Sequence, residues 1–407
     1  MSGTVKTGAD VLALLTDKYG IGSISKTEKE SKEKNKHISF DRNIHFTFGE
    51  GDKQLQYTTR SKKEKEAATT SKYGQLKLFL AELIFLNLYY DPNIHKNAKI
   101  IYVGAALGTH IAPLARMFPM IEFHLYDPQP FNHEVLDPVK NIIIYEELFT
   151  DEDSKVWIEE KEKGSSIFLI VDIRNLKYGK VEHPSTNQAA FRKNEQYVWD
   201  DMLFQRKIFE DIKPTKALLK MRLPYYENFM TKDETLYNYL DGVIFRQQFA
   251  SQTSTETRFA PHDADEDGVY PERVWNIRTY ENVTNSHNKE LREKALFVNP
   301  FSTNNKNIKF DDPIAENIGL YNDYDSTAAT LIICDYLIKF GVSPSYDEFY
   351  TLAKQIFIEV GKSNIWNYNL RGIRLKENFI DEKGNVIEQE PKIRGKEDIE
   401  NDPNIRD

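Results

Sequence analysis

The sequence predicts an α/β protein built on a doubly wound, mostly parallel β-sheet. Between residues 98 and 280, short runs rich in β-branched and aromatic residues alternate with helix-like segments, an alternation typical of right-handed βαβ units. The predicted strands are Lys99–Val103, Ile121–Tyr126, Asn141–Tyr145, Ser166–Val171 and Lys216–Met221. The helix-like segments between them are Thr109–Phe118, Asp151–Lys161 and Glu195–Ile212.

Further elements extend this core at both ends. A long, largely apolar helix is predicted to begin near Gly74, ahead of the first strand. Val243–Phe249 and Ser254–Phe259 have no helix between them, which predicts an antiparallel pair at the end of the sheet. Two helices close the fold, and a glycine follows each of them as a C-terminal cap. These helices are Ser326–Phe340, followed by Gly341, and Ser345–Val360, followed by Gly361.

The chain divides by composition into three regions. Residues 1–72 form an N-terminal extension, with a short helix predicted at Ala9–Tyr19 and a charged linker at Lys26–Lys36 that contains no apolar residue. Residues 73–365 hold the predicted sheet and most of the helices. Residues 366–407 are charged and interrupted by proline and glycine, so we expect a tail that is disordered at its end.

Composition and charge argue against several classes of protein. The 407 residues are 40% hydrophobic and 29% charged, which is ordinary for a globular protein. The single cysteine, Cys334, cannot form an internal disulfide, and with no signal peptide this predicts a reducing, cytosolic compartment. The longest apolar run, Leu78–Tyr90, is too short and too polar to span a bilayer. The net charge is −9, but Ser23–Lys72 holds 12 basic and 8 acidic residues, so the sequence still allows a basic surface for nucleic acid.

The first predicted strand runs into a glycine turn, Gly104–Gly108, that leads into a helix. Small residues at such a turn let a ligand approach the backbone, and the helix N-terminus supplies N–H donors. The next strand ends at Asp127, where an acid can hold ribose hydroxyls. Together these features predict a nucleoside cofactor at the carboxyl edge of the sheet. The turn lacks the Gly-Lys-Ser/Thr ending of a phosphate loop, and Gly361-Lys362-Ser363 lacks the earlier glycine, so hydrolysis of a nucleoside triphosphate is disfavoured.

Four polar residues stand where apolar residues are expected. Lys77 lies on an apolar helix face, and Asp172 ends a strongly apolar strand. Lys220 closes another strand, and Glu256 interrupts a strand rich in serine and threonine. Each alone has a structural explanation, such as a lysine that extends to solvent. As a set beside a nucleoside pocket they could deprotonate a ribose hydroxyl, because a second ammonium and partial burial lower the pKa of a lysine.

Several motifs together resemble the poxvirus cap-specific mRNA (nucleoside-2'-O-)-methyltransferases, a family that also stimulates the viral poly(A) polymerase. The motifs are Gly74–Leu78, Tyr102–Gly104, Gly108–His110, Val171–Arg174, Leu219–Tyr225, Phe249–Ser251 and Glu256–Arg258. They occur in one order, and the resemblance extends from about Tyr57 to Gly361. It implies a Rossmann-like class I methyltransferase fold with antiparallel terminal strands and a C-terminal helical pair.

The resemblance also implies roles for individual residues. Lys220 would be the general base toward the 2'-hydroxyl, with Asp172, Lys77 and Glu256 tuning and positioning it. The cofactor would be S-adenosylmethionine, and no metal is expected. The residues expected to contact the cofactor are Gln75, Tyr102, Gly104, Gly108, His110, Asp127, Asp172 and Arg174.

Recognition of the 7-methylguanosine cap would fall to aromatic rings and acids. Tyr225 and Tyr57 would sandwich the methylated base, and Glu227 would bind its edge. A second acid could be Glu290 or Glu293. Three residues depart from the family pattern: Leu107 replaces the usual proline of the cofactor turn, Gln129 stands where an arginine is expected near the adenosine ribose, and Thr253 replaces an aromatic residue near the expected cap site.

The resemblance predicts methylation of the ribose 2'-hydroxyl of the first transcribed nucleotide, converting cap 0 to cap 1. The expected partners are m7G-capped mRNA and a viral poly(A) polymerase catalytic subunit, with no membrane association. The expected location is the host cytoplasm, with packaging in the virion as an open possibility. Two alternatives remain: a non-catalytic RNA-binding stimulatory subunit, and a cap-independent 2'-O-methyltransferase of the ribosomal RNA type. An unrelated Rossmann-type domain is the remaining structural explanation.

Overall fold

The structure is a computed structural model, and it describes most of the chain. The described residues are 37–49, 51–57, 74–173, 188–227, 230–250, 253–293, 295–301, 322–361, 377–380 and 386–389. The helix predicted at Ala9–Tyr19, the linker Lys26–Lys36 and the predicted cofactor contact Arg174 lie outside these residues. The chain forms two compact units, one of residues 1–59 and 73–363 and one of residues 60–72 and 364–407.

The larger unit alternates helices and strands along most of its length. Its helices are α1 Arg42–His45, α2 Gly74–Tyr89, α3 Ile111–Met117, α4 His133–Leu136, α5 Asp151–Glu162, α6 Gln188–Ile212, α7 Ile277–Ser286, α8 Tyr324–Lys339 and α9 Tyr346–Gly361. Its strands are β1 His37–Ile38, β2 Lys99–Val103, β3 Glu122–Tyr126, β4 Ile142–Tyr145, β5 Ile167–Val171, β6 Lys216–Met221, β7 Leu236–Leu240, β8 Gly242–Phe245, β9 Thr257–Pro261, β10 Glu272–Asn276 and β11 Leu296–Phe297. A π-helical turn, His287–Arg292, continues α7.

The central sheet has seven strands in the order β4-β3-β2-β5-β6-β9-β8. The first five pair in parallel, whereas β9 is antiparallel to both β6 and β8. Numbered by their order along the chain, the seven strands have the spatial order 3-2-1-4-5-7-6, so the strand order switches direction between the adjacent parallel strands β2 and β5. The prediction of a Rossmann-like methyltransferase fold with a doubly wound, mostly parallel sheet is therefore confirmed.

Alternating side chains of the strands build a separate core on each face of the sheet. In β2, Ile100 and Tyr102 pack on one face and Ile101 and Val103 on the other, as the two-residue period of a strand requires. The first core is completed by α2, α3, α8 and α9. The second is completed by α5, α6 and the ribbon of β7 and β10. Because both faces are covered, the strands read as continuous apolar runs in the sequence.

The structure contains two features that the sequence did not predict. One is the antiparallel ribbon in which β7 pairs with β10. The other is α7 with its π-helical turn, which begins behind the N-cap Asn276. The predicted strand Val243–Phe249 also ends early, at Phe245, and the next residue, Arg246, bonds through its N–H to the Phe46 oxygen and through its guanidinium to the Thr47 oxygen. The chain beyond β8 therefore leaves the sheet towards the N-terminal segment.

The smaller unit is described only in part. Two strands, β12 Glu377–Ile380 and β13 Val386–Gln389, form an antiparallel pair there. The disorder predicted for the end of the tail stays a prediction. Across the described ranges of both units, no helix combines the length and apolarity needed to cross a membrane.

Candidate active site

The four polar residues singled out in the sequence meet at the carboxyl edge of the sheet. Lys77 comes from α2, and its Nζ lies 2.7 Å from Oε1 of Glu256, just ahead of β9. Lys220 ends in an ammonium 2.7 Å from Oδ1 of Asp172 and 3.5 Å from Oε2 of Glu256. The convergence follows from the sheet order, because β5, β6 and β9 are neighbours.

A fifth charged residue, Arg258, joins this group. Its Nη2 lies 3.1 Å from Oδ2 of Asp172 and its Nη1 lies 3.6 Å from Oε1 of Glu256, and its side chain is 3% exposed. Glu256 and Arg258 are two residues apart in an extended segment, so their side chains share a face. That spacing is the sequence signal that could have identified Arg258. The catalytic cluster, as we call it, comprises Lys77, Asp172, Lys220, Glu256 and Arg258.

Carboxylates separate the cations within the catalytic cluster. Lys220 and Arg258 are direct cross-strand partners in β6 and β9, and like charges in that arrangement repel. Asp172 contacts both of them. Burial by itself would raise the pKa of Asp172, but the Arg258 guanidinium and the Lys220 ammonium lower it to about 2. Asp172 is therefore ionised at neutral pH and holds the two cations in place.

The backbone of Lys220 is fixed from α6. The buried Gln205 side chain accepts the N–H of Lys220 at 2.9 Å and donates to its carbonyl oxygen at 3.1 Å. A side-chain amide that satisfies both backbone groups of one residue leaves that residue little freedom to shift along the strand.

The glycine turn after β2 is constrained by its own packing. Gly104 and Gly108 have φ values of +82° and +76°, which residues with a Cβ rarely adopt. A Cβ on Gly104 would lie 2.6 Å from the backbone oxygen of Asp172, and a Cβ on Gly108 would lie 2.9 Å from Cδ1 of Leu136. The sequence predicts that a ligand approaches the backbone of this turn closely. The structure adds a packing reason for glycine, because any larger residue at position 104 would clash with the backbone of Asp172. This turn follows β2, where the strand order of the sheet switches direction, and doubly wound sheets bind ligands at such a switch point.

Asp127 joins the end of β3 to the glycine turn. Its Oδ2 accepts the N–H of Ala106 at 3.1 Å, and its Oδ1 accepts the N–H of Gln129 at 2.8 Å. Burial raises the pKa of Asp127, and these two N–H donors lower it in part. Gln129, which stands where an arginine was expected, thus contacts Asp127 through its main chain.

Two of the expected cofactor contacts have side chains that point into the protein. The Tyr102 hydroxyl donates to Oε1 of the buried Glu82 at 2.7 Å, and Nε2 of His110 lies 3.1 Å from the same oxygen. Nδ1 of His110 lies 2.8 Å from Oε1 of Gln75, which also accepts from the Thr109 hydroxyl. Tyr102 and His110 are buried, so their side chains do not face a ligand. Their side chains instead connect the turn to α2.

Tyr57 and Tyr225 stack on each other, with ring centroids 5.8 Å apart and planes 27° from parallel. We call this pair the tyrosine slot. The Arg222 guanidinium covers the Tyr225 ring at 4.1 Å. Tyr57 is tied down by its hydroxyl, which donates to the carbonyl oxygen of Thr253 at 3.0 Å. Thr253 therefore contributes its main chain here, although an aromatic residue was expected at that position.

Buried acids lie behind the tyrosine slot. Glu195 accepts the N–H of Tyr225 at 2.8 Å and pairs with Arg222 at 3.1 Å. Glu281 accepts the N–H of Tyr226 at 2.7 Å. Burial raises the pKa of Glu281 to about 8, and the carboxylates of Glu195 and Glu227 contribute to the rise.

The prediction of Glu290 or Glu293 as the second cap-binding acid stays a prediction, and the structure adds Glu281 as a further candidate. Glu290 forms an ion pair with Lys53, and Glu293 is exposed. Burial raises the pKa of Tyr57 and the nearby Glu281 carboxylate adds to the rise, while the charge of Glu227 adds to the raised pKa of Glu281. Glu227 itself is exposed at the mouth of this region, two residues after Tyr225. The sequence missed Glu281 because α7, which carries it, was missed.

Comparisons with known proteins identify the family to which this chain is similar. A family model described as poly(A) polymerase regulatory subunit matches residues 39–325. A Myxoma virus protein named cap-specific mRNA (nucleoside-2'-O-)-methyltransferase is 26% identical over 67% of this chain and 74% of its own. A Fowlpox virus protein of the same name is 28% identical over 72% of this chain and 85% of its own.

A solved structure described as an antibiotic-related methyltransferase covers 48% of this chain and 97% of its own, with 13% identity and a TM-score of 0.21. The fold assignment rests on the strand order and not on that likeness. The family assignment rests on the family model, which spans the tyrosine slot, the glycine turn and the catalytic cluster. The chain belongs to the family of poly(A) polymerase regulatory subunits.

Proposed function

We propose that this protein transfers a methyl group from S-adenosylmethionine to the ribose 2'-hydroxyl of the first transcribed nucleotide of m7G-capped mRNA. The observation that carries the proposal is the catalytic cluster, in which two lysines and two carboxylates meet beside the glycine turn. The names of the two viral relatives support the same reaction. A ribose hydroxyl is a weak nucleophile, so the reaction needs a positioned base.

Lys220 is the proposed base. When every group is ionised, the catalytic cluster carries three positive and two negative charges. This net positive charge, which includes Arg258 as the cross-strand partner of Lys220, favours the loss of a proton from Lys220. Asp172 and Glu256 orient the Lys220 amine toward the hydroxyl, and Lys77 holds Glu256. Arg258 keeps both carboxylates ionised as the proton moves.

The residues around the glycine turn fit S-adenosylmethionine. The Asp127 carboxylate, held by two backbone N–H groups, suits a ribose diol. The main chain of Gly104–Gly108 and the side chain of Gln75 are the other proposed contacts; the family resemblance adds Arg174, which lies outside the described residues. When bound, the cofactor supplies an electrophilic methyl group on a sulfonium sulfur. What the protein adds is alignment of the acceptor hydroxyl with that methyl group.

The tyrosine slot is the proposed site for the methylated guanine. A base between two rings needs about 7 Å between them, twice a contact distance of about 3.5 Å, so the 5.8 Å slot must widen by about 1 Å. A positively charged purine gains cation–π attraction in such a site. Glu281 and Glu227 would accept hydrogen bonds from the guanine edge.

The test is methyl transfer from labelled S-adenosylmethionine to three RNAs of one sequence that begin with m7GpppG, GpppG or pppG. We expect transfer to the first RNA, with the label mapped by nuclease digestion to the ribose of the first transcribed nucleotide. Equal transfer to all three RNAs would favour a cap-independent enzyme. No transfer to any of them would reject the proposal.

The family model favours a second role, as regulatory subunit of a poly(A) polymerase. We propose that this protein binds the polymerase catalytic subunit encoded by the same genome and lengthens the tails that it makes. The two proteins should co-elute in gel filtration, and tail length should rise when this protein is added. Separate elution with unchanged tails would reject this role and leave the methyltransferase proposal intact.

A further inference from the structure

One face of α7 and its π-helical turn carries four polar side chains below the surface. They follow the spacing i, i+4, i+7 and i+11, which places residues on one stripe of a helix. The residues are Glu281, Asn285, Asn288 and Arg292. Buried polar groups cost free energy unless they are paired. The hydrogen-bond partners of this polar stripe therefore show which segments of the chain α7 holds in position.

The first half of the polar stripe holds both walls of the tyrosine slot. Nδ2 of Asn285 donates to the carbonyl oxygens of Leu55 at 3.2 Å and Gln56 at 2.8 Å, which fixes the segment that leads into Tyr57. The adjacent Asn282 accepts the N–H of Tyr57 at 3.0 Å. On the other side, Glu281 holds the loop that carries Tyr225 through the N–H of Tyr226.

The second half holds the loop that carries the catalytic glutamate. Nδ2 of Asn288 donates to the carbonyl oxygen of Ser254 at 2.9 Å, and the Ser254 hydroxyl accepts the N–H of Glu256 at 3.1 Å. Oδ1 of Asn288 accepts Nη1 of Arg292 at 3.0 Å. Arg292 is fixed in turn by a buried two-bond ion pair with Asp325 of α8, at 2.9 and 2.8 Å.

We propose that Asn288 is a positioning residue for Glu256, and that the polar stripe sets the distance between the tyrosine slot and the catalytic cluster. This inference rests on the proposed function. The π-helical turn, a feature frequent at functional sites, carries Asn288 and Arg292 beyond the end of α7. A cap held in the slot then presents one ribose to Lys220, because both sites are attached to the same helix.

The test is steady-state methylation of m7GpppG-RNA by Asn288→Asp and Asn285→Asp. Each change keeps the side-chain shape and removes the donor toward a backbone carbonyl. Asn288→Asp should lower kcat on the order of 10- to 100-fold with KM for the capped RNA close to wild type, because it misplaces a catalytic group. Asn285→Asp should mainly raise KM. Thr279→Ala, exposed on the same helix, is the matched control and should change neither constant.

Wild-type kcat in Asn288→Asp, or the same pattern of change in both aspartate variants, would overturn the inference. If Asn288→Asp does not fold, as judged by thermal melting, Ser254→Ala tests the same support because it removes the acceptor of the Glu256 N–H. It should lower kcat alone, and unchanged kcat would again overturn the inference. If the wild-type protein does not methylate capped RNA, the proposed function fails instead, and the inference fails with it.

Discussion

The catalytic cluster and the tyrosine slot differ in how they are held. The catalytic cluster arises from neighbouring strand ends and one helix, and ion pairs of 2.7 to 3.6 Å connect its members. The tyrosine slot arises from two loops and the N-terminal segment, and hydrogen bonds to α7 connect them. The first site is set by the sheet, whereas the second is set by a single helix that bridges distant parts of the chain.

This difference predicts how each site responds to amino-acid substitution. The proposed chemical step needs a fixed geometry, and a buried cluster of charges provides it. Removing any one member leaves a buried charge without its partner, which is strongly destabilising. The proposed recognition of the cap needs the tyrosine slot to widen by about 1 Å, and loops provide that freedom more readily than strands. We therefore expect substitutions in the catalytic cluster to abolish turnover and substitutions in the slot to weaken binding.

The largest effect should follow Lys220→Ala. Removal of the base should lower kcat by about 10²- to 10⁴-fold, while the affinity for S-adenosylmethionine stays close to wild type, because the residue acts mainly in the transition state. Lys216→Ala is the matched control, since Lys216 lies in the same strand but pairs with the exposed Asp263. Near-normal turnover of a folded Lys220→Ala protein would remove Lys220 from the mechanism.

The next effect concerns the glycine turn, which connects the cofactor region to the catalytic cluster. Gly104→Ala should reduce cofactor affinity by about 10-fold or more, since a contact 2.6 Å from Asp172 must be relieved by movement of the turn. Gly268→Ala is matched in backbone angle, at φ +78°, but its Cβ would meet no atom within 4 Å. Equal calorimetric affinities in the two variants would show that the turn does not bind the cofactor.

A smaller loss is expected in the tyrosine slot. Tyr225→Ala should weaken binding of m7GpppG-RNA by about 10- to 100-fold, because stacking contributes about 1 to 3 kcal/mol per base. GpppG-RNA should be affected less. Tyr226→Ala is the control, because the Tyr226 ring is stacked by Arg278 instead of Tyr57. A preference for the methylated cap that survives Tyr225→Ala in fluorescence titrations would reject the slot.

The smallest effect is on stability and involves Glu281. Burial raises the pKa of this carboxyl from 4.5 to about 8 in the folded protein. The folded state therefore binds the proton more tightly than the unfolded state, and stability falls as the pH rises from about 4.5 to about 8. Glu281→Gln removes this term. Its stability relative to wild type, from urea unfolding, should be higher at pH 9 than at pH 5, by about 1 kcal/mol or more. A difference that does not depend on pH would mean that Glu281 is not buried as described.

The sequence predicts the sheet better than the slot, for a physical reason. The bounds of β2 and β6 match their predictions residue for residue, because buried parallel strands are apolar runs that end at turn residues. The residues at those strand ends then follow from topology, which explains why Asp172 and Lys220 could be identified as neighbours.

The members of the tyrosine slot are separated by long stretches of chain, and no periodicity connects Tyr57 to Tyr225. Their placement came from the family resemblance. The polar stripe of α7 was missed because a buried polar stripe has the same helical period as a solvent-exposed one. Only the partners of Asn285 and Asn288 distinguish the two.

The central claim is that the catalytic cluster acts on one ribose hydroxyl at a fixed distance from the cap. It is tested most directly with m7GpppG-RNA in which the first transcribed nucleotide alone is a 2'-deoxynucleotide. We expect this RNA to bind like its ribose counterpart and to accept no methyl group from labelled S-adenosylmethionine. Transfer of label to the deoxy RNA at the normal rate would mean that the enzyme modifies another position, and would contradict the assignment of Lys220 and the first 2'-hydroxyl.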